Sequence, residues 1–344
     1  MNSSHPYSAL TPDCALDALD STGFKADGRL LALNSYENRV YQMGVEDAAP
    51  ARGTPPDTRP AGGLGAALVV VKFYRPERWR DAAIVEEHAF TAELAAREIP
   101  VVAPLVLNGA TLHTHAGFRF AVYPKQGGRM PEFERPDTLR RMGRFLGRIH
   151  AVGAQADFVQ RPTLDIETFG YASRDFLRDG NWLPPDLVAA WDSVVDYALT
   201  GVAHCYERAG KVRAIRLHGD CHAGNVLWTD DGPHFVDFDD SRMGPALQDL
   251  WMLLSGGRDE QQAQMNEILT GYEDFMAFDP RELHLVEALR TLRLIHYAAW
   301  LARRWDDPAF PAAFPWFNTQ QYWQARILEL REQIALMDEP PLVA

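Results

Sequence analysis

Alternating apolar and polar residues dominate the first third of the chain and predict a β-rich region. The stretch GRLLALNSYENRVYQMGV (residues 28–45) alternates on both sides of a polar centre, which is typical of two strands and their connection. A β-branched run, ALVVVKFYRP (67–76), predicts a third strand that stops at a proline. Two further stretches, IPVVAPLVLNG (99–109) and TLHTHAGFRFAVYPK (111–125), predict short strands separated by a turn.

Apolar residues at helical spacing fill most of the remaining chain. They predict a helix within residues 77–98, an amphipathic helix with one apolar stripe at 135–153, and a long helix at 184–210. The chain beyond about residue 245 is predicted to be mostly helical as far as about residue 337. The order β-β-β-α-β-β followed by helices favours an α+β fold with two lobes.

The predicted domains follow from this order of elements. Residues 1–28 form an N-terminal arm with one short amphipathic helix, residues 29–124 form a small β-rich N-lobe, and residues 125–344 form a larger α-helical C-lobe. Residues 46–66 contain four prolines and four glycines and no large apolar residue except Leu64. Such a segment buries too little surface to offset its chain entropy, so it is predicted to be a mobile insert in the N-lobe.

Composition excludes several classes of protein. The 344 residues are 47% hydrophobic and 24% charged, as in ordinary globular proteins, and no apolar run approaches the length of a membrane span. A net charge of −13 disfavours non-specific nucleic-acid binding. The N-terminal sequence lacks the pattern of a secretory signal, and three scattered cysteines fit a reducing compartment, so a cytoplasmic protein is expected.

One stretch, LHGDCHAGNVLWTDDGPHFVDFDDS (217–241), concentrates unusual chemistry between two short predicted strands. Asp220 and Asn225 share one loop, and Asp237 follows the neighbouring strand, so the three side chains are expected to converge. Hard oxygen ligands of this kind suit Mg²⁺, which is usually completed by waters and substrate phosphates. In this interpretation Asn225 and Asp237 are the metal ligands, and Asp220 orients or deprotonates an attacking hydroxyl.

Two other interpretations of this stretch stay open at the level of residues. The histidines beside the aspartates could form a zinc site, although partners at matching spacing are not found in the sequence. The stretch could also be a structural hairpin with polar turns, although such a turn does not require two carboxylates, an asparagine and flanking histidines.

The residues HGDCHAGN, followed by DFD, resemble the catalytic loop and metal-binding motif of the protein-kinase-like phosphotransferases, which include aminoglycoside phosphotransferases, choline kinase and homoserine kinase. The motifs NSYENRVYQ, VVKFYRPERW, EEHAF and RLIHYAAWLARRW resemble in particular the bacterial serine/threonine kinases of the stress-response type. The resemblance covers about residues 25–335. It implies a protein-kinase-like fold with ATP and Mg²⁺ as cofactors.

The resemblance also implies roles for individual residues. Lys72 would hold the α- and β-phosphates of ATP, and Glu87, or its neighbour Glu86, would be the ion-pair partner of that lysine. Tyr123 would lie at the hinge, where the backbone contacts adenine. The turn that covers the phosphates has no glycine here, so its four central residues would form the cover: Ser35, Tyr36, Glu37 and Asn38.

Residues around the catalytic loop receive supporting roles. His218 is predicted to hold the loop, and Asp249 to cap a helix and bond back to the loop. Cys221 beside Asp220 is expected to be an inert small residue, because nothing in the sequence indicates a lowered thiol pKa. The late helix with Arg293, His296, Tyr297 and Trp300 would wall the acceptor site.

The predicted function is that of an ATP- and Mg²⁺-dependent kinase, in first place a serine/threonine protein kinase with a protein substrate. The alternative is a small-molecule hydroxyl kinase acting on a substrate such as homoserine, choline or an aminoglycoside. A catalytically dead scaffold is disfavoured, because Lys72, Asp220, Asn225 and Asp237 are all present. The expected partners include no nucleic acid and no membrane, and the chain is expected to be a monomer.

Overall fold

The structure is a computed structural model that describes residues 5–46 and 67–343. Contacts divide the chain into two compact units. The first takes in the chain as far as Arg129 together with Leu227–Asp239, and the second takes in Met130–Val226 with the chain from Asp240 onward. The predicted insert at 46–66 lies outside the described residues except for Glu46. The predicted lobes at 29–124 and 125–344 stay a prediction.

The first unit combines one antiparallel sheet with two helices and a separate hairpin. In chain order its elements are α1 (Pro12–Asp20), β1 (Ala26–Ala32), β2 (Arg39–Val45), β3 (Ala67–Phe73), α2 (Asp81–Ala96), β4 (His113–His115) and β5 (Phe118–Pro124). The later segment adds most of β7 (Val226–Thr229) and all of β8 (Gly232–Phe235), which pair as a hairpin.

The five strands of the main sheet are ordered β1-β2-β3-β5-β4. Strand β3 is therefore central, and its Lys72 lies opposite Val40 on one side and Ala121 on the other. Alternate residues of β3 that face α1 are fully buried, including Val71 and Phe73, and they pack in one core with Ala15 and Leu19 of that helix. The N-terminal helix predicted from the amphipathic pattern is confirmed, and it belongs to the core of this unit.

The predicted strand at residues 99–109 is wrong. This segment makes only isolated bridges, such as Val101 with Phe235, while the following stretch supplies both β4 and β5 as a hairpin. Pro100 and Pro104 explain the difference, because a proline has no backbone N–H to donate to a strand ladder. The segment is instead held by single bonds, including Leu105 N to Val122 O at 2.7 Å.

The second unit is mainly helical. Its elements are α3 (Pro136–Gly153), a π-turn (Glu167–Tyr171), α4 (Ala172–Asp179), α5 (Val188–Ala209), β6 (Ile215–Leu217), β9 (Arg242–Gly244), α6 (Leu247–Trp251), α7 (Arg258–Tyr272), α8 (Val286–Ala302), α9 (Ala309–Ala313) and α10 (Gln320–Asp338). The helices predicted at 135–153 and 184–210 are confirmed as α3 and α5.

Two packing features are well defined within the second unit. Helices α3 and α7 pack so tightly that a Cβ on Gly143 would collide with the carbonyl oxygen of Ile268. Strand β6 pairs antiparallel with β9 and delivers the chain into the loop that contains Asp220. Among the described residues, no helix is long and apolar enough to cross a membrane.

Candidate active site

Lys72 is held between two aspartates of the DFD motif within the first unit. Its Nζ lies 2.7 Å from Asp237 Oδ1 and 3.4 Å from Asp239 Oδ1. The lysine and Asp239 side chains are buried, whereas 48% of the Asp237 side chain is exposed. Burial lowers the pKa of Lys72, but the charges of the two aspartates and of Glu87 outweigh burial and raise this pKa well above its ordinary value. Lys72 is therefore a fixed cation.

The DFD motif is positioned by its phenylalanine and by an unusual backbone. Phe238 is buried and packs edge-on against Phe90 of α2, with ring centroids 6.1 Å apart. Asp237 has a φ of +60°, a left-handed conformation that is uncommon for residues other than glycine. This conformation presents the Asp237 carboxylate to solvent and to Lys72, while Asp239 points into the interior.

Asp239 is the centre of a buried charge network. Its Oδ2 accepts a hydrogen bond from Asn38 Nδ2 at 3.1 Å and a second, short one from Arg78. Asn38 in turn accepts a hydrogen bond from the backbone N–H of Arg75 at 3.0 Å. The β1–β2 turn, strand β3 and the DFD motif are thus joined through one carboxylate.

The four residues predicted to cover the phosphates divide into two pairs. Glu37 and Asn38 face inward, where Glu37 Oε1 lies 3.8 Å from Nε of both Arg75 and Arg78. Ser35 is half-buried and Tyr36 is exposed. Only Ser35 and Tyr36 therefore present side chains outward, and the inward pair fixes the turn. The turn contains no glycine, so its backbone lacks the conformational freedom that glycine provides. The side chains of Glu37 and Asn38 hold the turn in place instead.

Burial distinguishes the two candidate glutamates on α2. Glu87 is buried and contributes to the raised pKa of Lys72, whereas Glu86 is half-buried. The ion pairs described for Lys72 go to Asp237 and Asp239, and the charge of Glu87 adds to the raised pKa of the lysine. Tyr123, in β5, donates or accepts a hydrogen bond with the Tyr74 hydroxyl at 2.9 Å, and burial raises its pKa. Its proposed adenine contact stays a prediction.

Asp220 lies in the loop after β6 in the second unit, between an arginine and a histidine. Arg293 Nη1 donates to Asp220 Oδ1 at 2.6 Å, and His222 Nε2 lies 3.4 Å from Oδ2. Burial raises the pKa of Asp220, but the His222 hydrogen bond and the Arg293 charge outweigh burial and lower this pKa to about 2. Asp220 is therefore an anion at neutral pH.

His222 and Asn225 shape the same loop. His222 Nδ1 accepts a hydrogen bond from Gly224 N at 3.0 Å and so caps a short 3₁₀ turn, Ala223–Asn225. Because Nδ1 is the acceptor, the neutral imidazole carries its proton on Nε2, which faces Asp220. Asn225 Nδ2 donates to the Asp220 backbone carbonyl at 2.9 Å. That bond leaves the Asn225 carboxamide oxygen available for a cation.

Asp249 anchors the loop from α6. Its two oxygens accept the backbone N–H groups of His218 at 2.9 Å and Gly219 at 2.8 Å, and His150 Nε2 lies 3.1 Å away. The bond back to the loop agrees with the prediction, but the capping role is wrong, because Asp249 is inside α6 and the N-cap is Ala246. His218 is fully buried and its Nδ1 accepts from Asp220 N at 3.4 Å, consistent with its predicted holding role.

Cys221 is fully buried beside Asp220. Burial, together with the charges of Asp249 and Asp220, raises the pKa of its thiol well above the ordinary value. Since the thiolate is the reactive form, burial and the raised pKa both lower the reactivity of Cys221. The expectation of an inert small residue agrees with this environment.

The two predicted metal ligands each carry an oxygen donor of the kind that suits a hard divalent cation. Asn225 offers a carboxamide oxygen whose nitrogen is already bonded, and Asp237 offers a half-exposed carboxylate. Oxygen ligands of this type, few in number and completed by phosphates and water, are those of Mg²⁺. Among the described residues, no group of three or more histidine, cysteine, aspartate or glutamate side chains is arranged to hold a metal ion.

Comparison with known proteins decides the family. Residues 62–286 match the model of the phosphotransferase enzyme family. The chain belongs to the phosphotransferase enzyme family. It is 45% identical over 342 residues to stress response kinase A of Escherichia coli O157:H7, covering 99% of this chain and 98% of that protein. It is 44% identical over 336 residues to the serine/threonine protein kinase RdoA of Salmonella typhimurium strain LT2, covering 98% and 96%.

Solved structures of other kinases share the fold. Amicoumacin kinase, solved with an ATP analogue, Ca²⁺ and its antibiotic, superposes with a TM-score of 0.67 at 17% identity, covering 92% of this chain and 90% of that one. A microcompartment-associated aminopropanol kinase superposes with a TM-score of 0.64 at 16% identity, covering 94% and 95%. The predicted kinase-like fold and phosphotransferase class are confirmed.

The sequence gives no indication of two residues with buried partners, Arg78 and His150, and it predicts a different role for a third, Asn38. Arg78 follows a strand in an exposed-looking RPERW segment, and nothing local indicates that it reaches Asp239. Asn38 was assigned to phosphate contact rather than to that aspartate. His150 interrupts the apolar stripe of α3, and a histidine at a buried helical position is the signal that could have pointed to its partner Asp249.

Proposed function

We propose that this phosphotransferase is an ATP- and Mg²⁺-dependent serine/threonine protein kinase of the stress-response type. The observation that carries the catalytic part is the Lys72–Asp237 ion pair at 2.7 Å, because it joins the buried motif lysine to a motif aspartate that is half exposed to solvent. Full-length similarity to kinases that include a serine/threonine protein kinase supports the acceptor class.

Each residue then has a defined task. Lys72 holds phosphate oxygens by charge, and Asn225 and Asp237 would hold Mg²⁺, which offsets negative charge on the phosphates when bound. Asp220 accepts a hydrogen bond from the acceptor hydroxyl. A carboxylate with a pKa of about 2 is a weak base, so its main work is to orient the hydroxyl. It would accept the hydroxyl proton late, as the new oxygen–phosphorus bond forms and the bond from the γ-phosphorus to the leaving ADP breaks.

A small-molecule hydroxyl kinase is the second candidate. The observation in its favour is the shared fold with amicoumacin kinase and aminopropanol kinase. Homoserine, choline and aminoglycosides are the acceptors to test. Since nucleotide and metal groups serve both reactions, only the acceptor distinguishes them.

The deciding experiment follows radiolabelled phosphate from ATP. The protein is incubated with Mg²⁺ and either dephosphorylated casein or a panel of homoserine, choline, ethanolamine and spectinomycin, with EDTA and Asp220→Asn as controls. Label on serine or threonine of casein, lost in both controls, is the expected result. Label confined to a small alcohol would replace the protein-kinase proposal with the second candidate.

The cellular setting is part of the same proposal. All three cysteines are free thiols, and two of them, Cys205 and Cys221, are buried, which is compatible with a reducing cytoplasm. A single chain acting as a monomer in a stress response is the simplest form of the proposal. Light scattering of the purified protein at micromolar concentration tests its oligomeric state.

A further inference from the structure

The Arg293–Asp220 ion pair lies where an acceptor must bind. Arg293 projects from α8, and its Nη1 to Asp220 Oδ1 distance is 2.6 Å. About 40% of the Arg293 side chain and 23% of the Asp220 side chain are exposed, so the pair is accessible from solvent. The other Asp220 oxygen faces His222 Nε2 and, at 3.5 Å, Asn225 Nδ2.

Geometry places the neighbours of the acceptor hydroxyl close to this guanidinium. A hydroxyl oriented by Asp220 must come within about 3 Å of its carboxylate. Atoms one or two bonds from that hydroxyl then lie within roughly 6 Å of Arg293, where unlike charges attract and like charges repel strongly in a partly buried setting. The charge of the group beside the hydroxyl therefore decides whether Arg293 favours or opposes its binding.

The helix surface beyond Arg293 is aromatic and uncharged. His296, Tyr297 and Trp300 lie three, four and seven positions further along α8, on the face of Arg293. His296 stacks on Phe169 with ring centroids 4.1 Å apart, and burial together with nearby arginines lowers its pKa to about 3, so its ring is neutral. Tyr297 and Trp300 stack with centroids 5.5 Å apart.

Three carboxylates on or around α8 pair with arginines. Asp220 pairs with Arg293, and Asp240 pairs with Arg242 at 2.7 Å. The only acid within α8 itself, Glu287, pairs with Arg290 at 3.0 Å. A bound ammonium group would have to compete with an arginine for each of these three acids, at the cost of leaving that arginine without its carboxylate.

We infer that Arg293 selects acceptors that carry a neutral or anionic group next to the reacting hydroxyl and rejects those that carry an amine there. The inference rests on the proposed phosphotransfer by Asp220. It fits a serine or threonine flanked by neutral amides or acidic residues, and it opposes amino alcohols. Arg293 is a specificity-determining residue in this arrangement.

The test compares charge-matched acceptors. Serine peptides that differ only in the residue after serine (Asp, Ala or Lys) and the pair ethylene glycol and ethanolamine are assayed for kcat/KM with ATP. The wild-type chain is expected to use the Asp and Ala peptides at least about tenfold better than the Lys peptide. Arg293→Gln should remove this preference, Arg293→Lys should retain it, and Arg293→Glu should reverse it.

A matched control is available one turn earlier on the same helix. Arg290→Gln removes an arginine that pairs with Glu287 and should leave the preference unchanged. Melting temperature and ATP affinity of Arg293→Gln, measured in parallel, separate loss of selectivity from loss of fold.

Two outcomes overturn the inference, and they differ in what else they remove. The first outcome is transfer to the peptides with the same charge preference in wild type and Arg293→Gln, or a wild-type preference for the Lys peptide or ethanolamine. This outcome rejects only the role of Arg293. No transfer from ATP to any of these acceptors by the wild-type chain rejects the proposed function and this inference with it.

Discussion

Asp239 accepts a hydrogen bond from Asn38 at 3.1 Å although the two residues are 201 positions apart in the chain. Because Asp239 also contacts Lys72, this bond ties the turn before β2 to the lysine that is proposed to hold phosphates. The turn is therefore pre-arranged by a buried carboxylate. Its rigidity is a property of side chains, and single substitutions can test it.

Asn38→Ala should weaken nucleotide binding. The change removes a buried hydrogen bond to a charged group, worth about 1.5–3 kcal/mol, and frees the turn. We expect ATP affinity, measured by calorimetry, to fall by about tenfold with a smaller change in kcat. Asn34→Ala in the same turn is exposed and should change the affinity less than twofold. Equal effects of the two substitutions would contradict the role assigned to Asn38.

Asp237 combines a charge with a strained backbone, and two substitutions separate these properties. Asp237→Asn keeps a residue type that tolerates a positive φ, so the melting temperature should change little while transfer falls at least about a hundredfold. Asp237→Val should in addition destabilise the fold by about 1–2 kcal/mol, because a β-branched residue is disfavoured in that conformation. Thermal melts and radiolabelled transfer measure both effects. Substantial turnover by Asp237→Asn would refute its proposed place as a metal ligand.

Asp249→Ala should both destabilise the second unit and slow catalysis. It leaves the backbone N–H groups of His218 and Gly219 without their acceptor and removes the partner of His150. The expected loss in the free energy of unfolding is about 3 kcal/mol, as measured by urea denaturation. Asp274→Ala breaks an exposed pair with Arg144 and should cost less than about 1 kcal/mol. Similar losses for both variants would argue against an anchoring function.

The buried carboxyl group of Glu282 is expected to make the stability of the fold depend on pH. It is buried, accepts the Leu247 N–H at 2.8 Å, and burial raises its pKa to about 7. The folded state therefore binds the proton more tightly than the unfolded state. The contribution of Glu282 to the free energy of unfolding is fully present below the pKa that this group has in the unfolded chain. It is lost as pH rises through 7, by up to about 3 kcal/mol.

Glu282→Gln keeps the carbonyl acceptor for Leu247 and removes the titration. The free energy of unfolding of this variant should vary less between pH 5 and pH 8 than that of the wild type, and at pH 8 the variant should be the more stable protein. Glu267→Gln, which alters a solvent-accessible pair with Arg140, serves as the comparison. Parallel pH curves for wild type and Glu282→Gln would show that the group titrates normally.

The sequence predicted local features well and long-range partners poorly. The alternation around residues 28–45 and the apolar run at β3 were sufficient for the central strands, since side-chain period is a local property. The strand predicted at 99–109 does not form, because Pro100 and Pro104 have no backbone N–H to donate to a ladder although the segment is apolar. Nothing local could reveal that Arg78 reaches Asp239 across 161 positions, because charge pairing between distant segments depends on the completed fold.

The loop that contains Asp220 likewise combines local features that the sequence predicts with a distant partner that it does not predict. The residue types and spacing of Asp220 and Asn225 were readable from the motif, and their bond at 2.9 Å agrees with a shared loop. The arginine that pairs with Asp220 is Arg293, 73 positions away on α8. For this residue the resemblance implies only a place beside the acceptor site. The motif thus predicts the reacting group, while its neighbours decide what that group can accept.

The burial of Cys221 gives the protein a built-in reporter of local opening. Alkylating reagents and peroxide require a thiolate in contact with solvent, so neither can modify this side chain while the loop around it stays closed. The rate of labelling by iodoacetamide at that position would therefore measure how often the segment that carries Asp220, the proposed hydroxyl-orienting aspartate, opens. Protection of the thiol by added nucleotide would be a direct readout of how far ligand binding holds that segment shut.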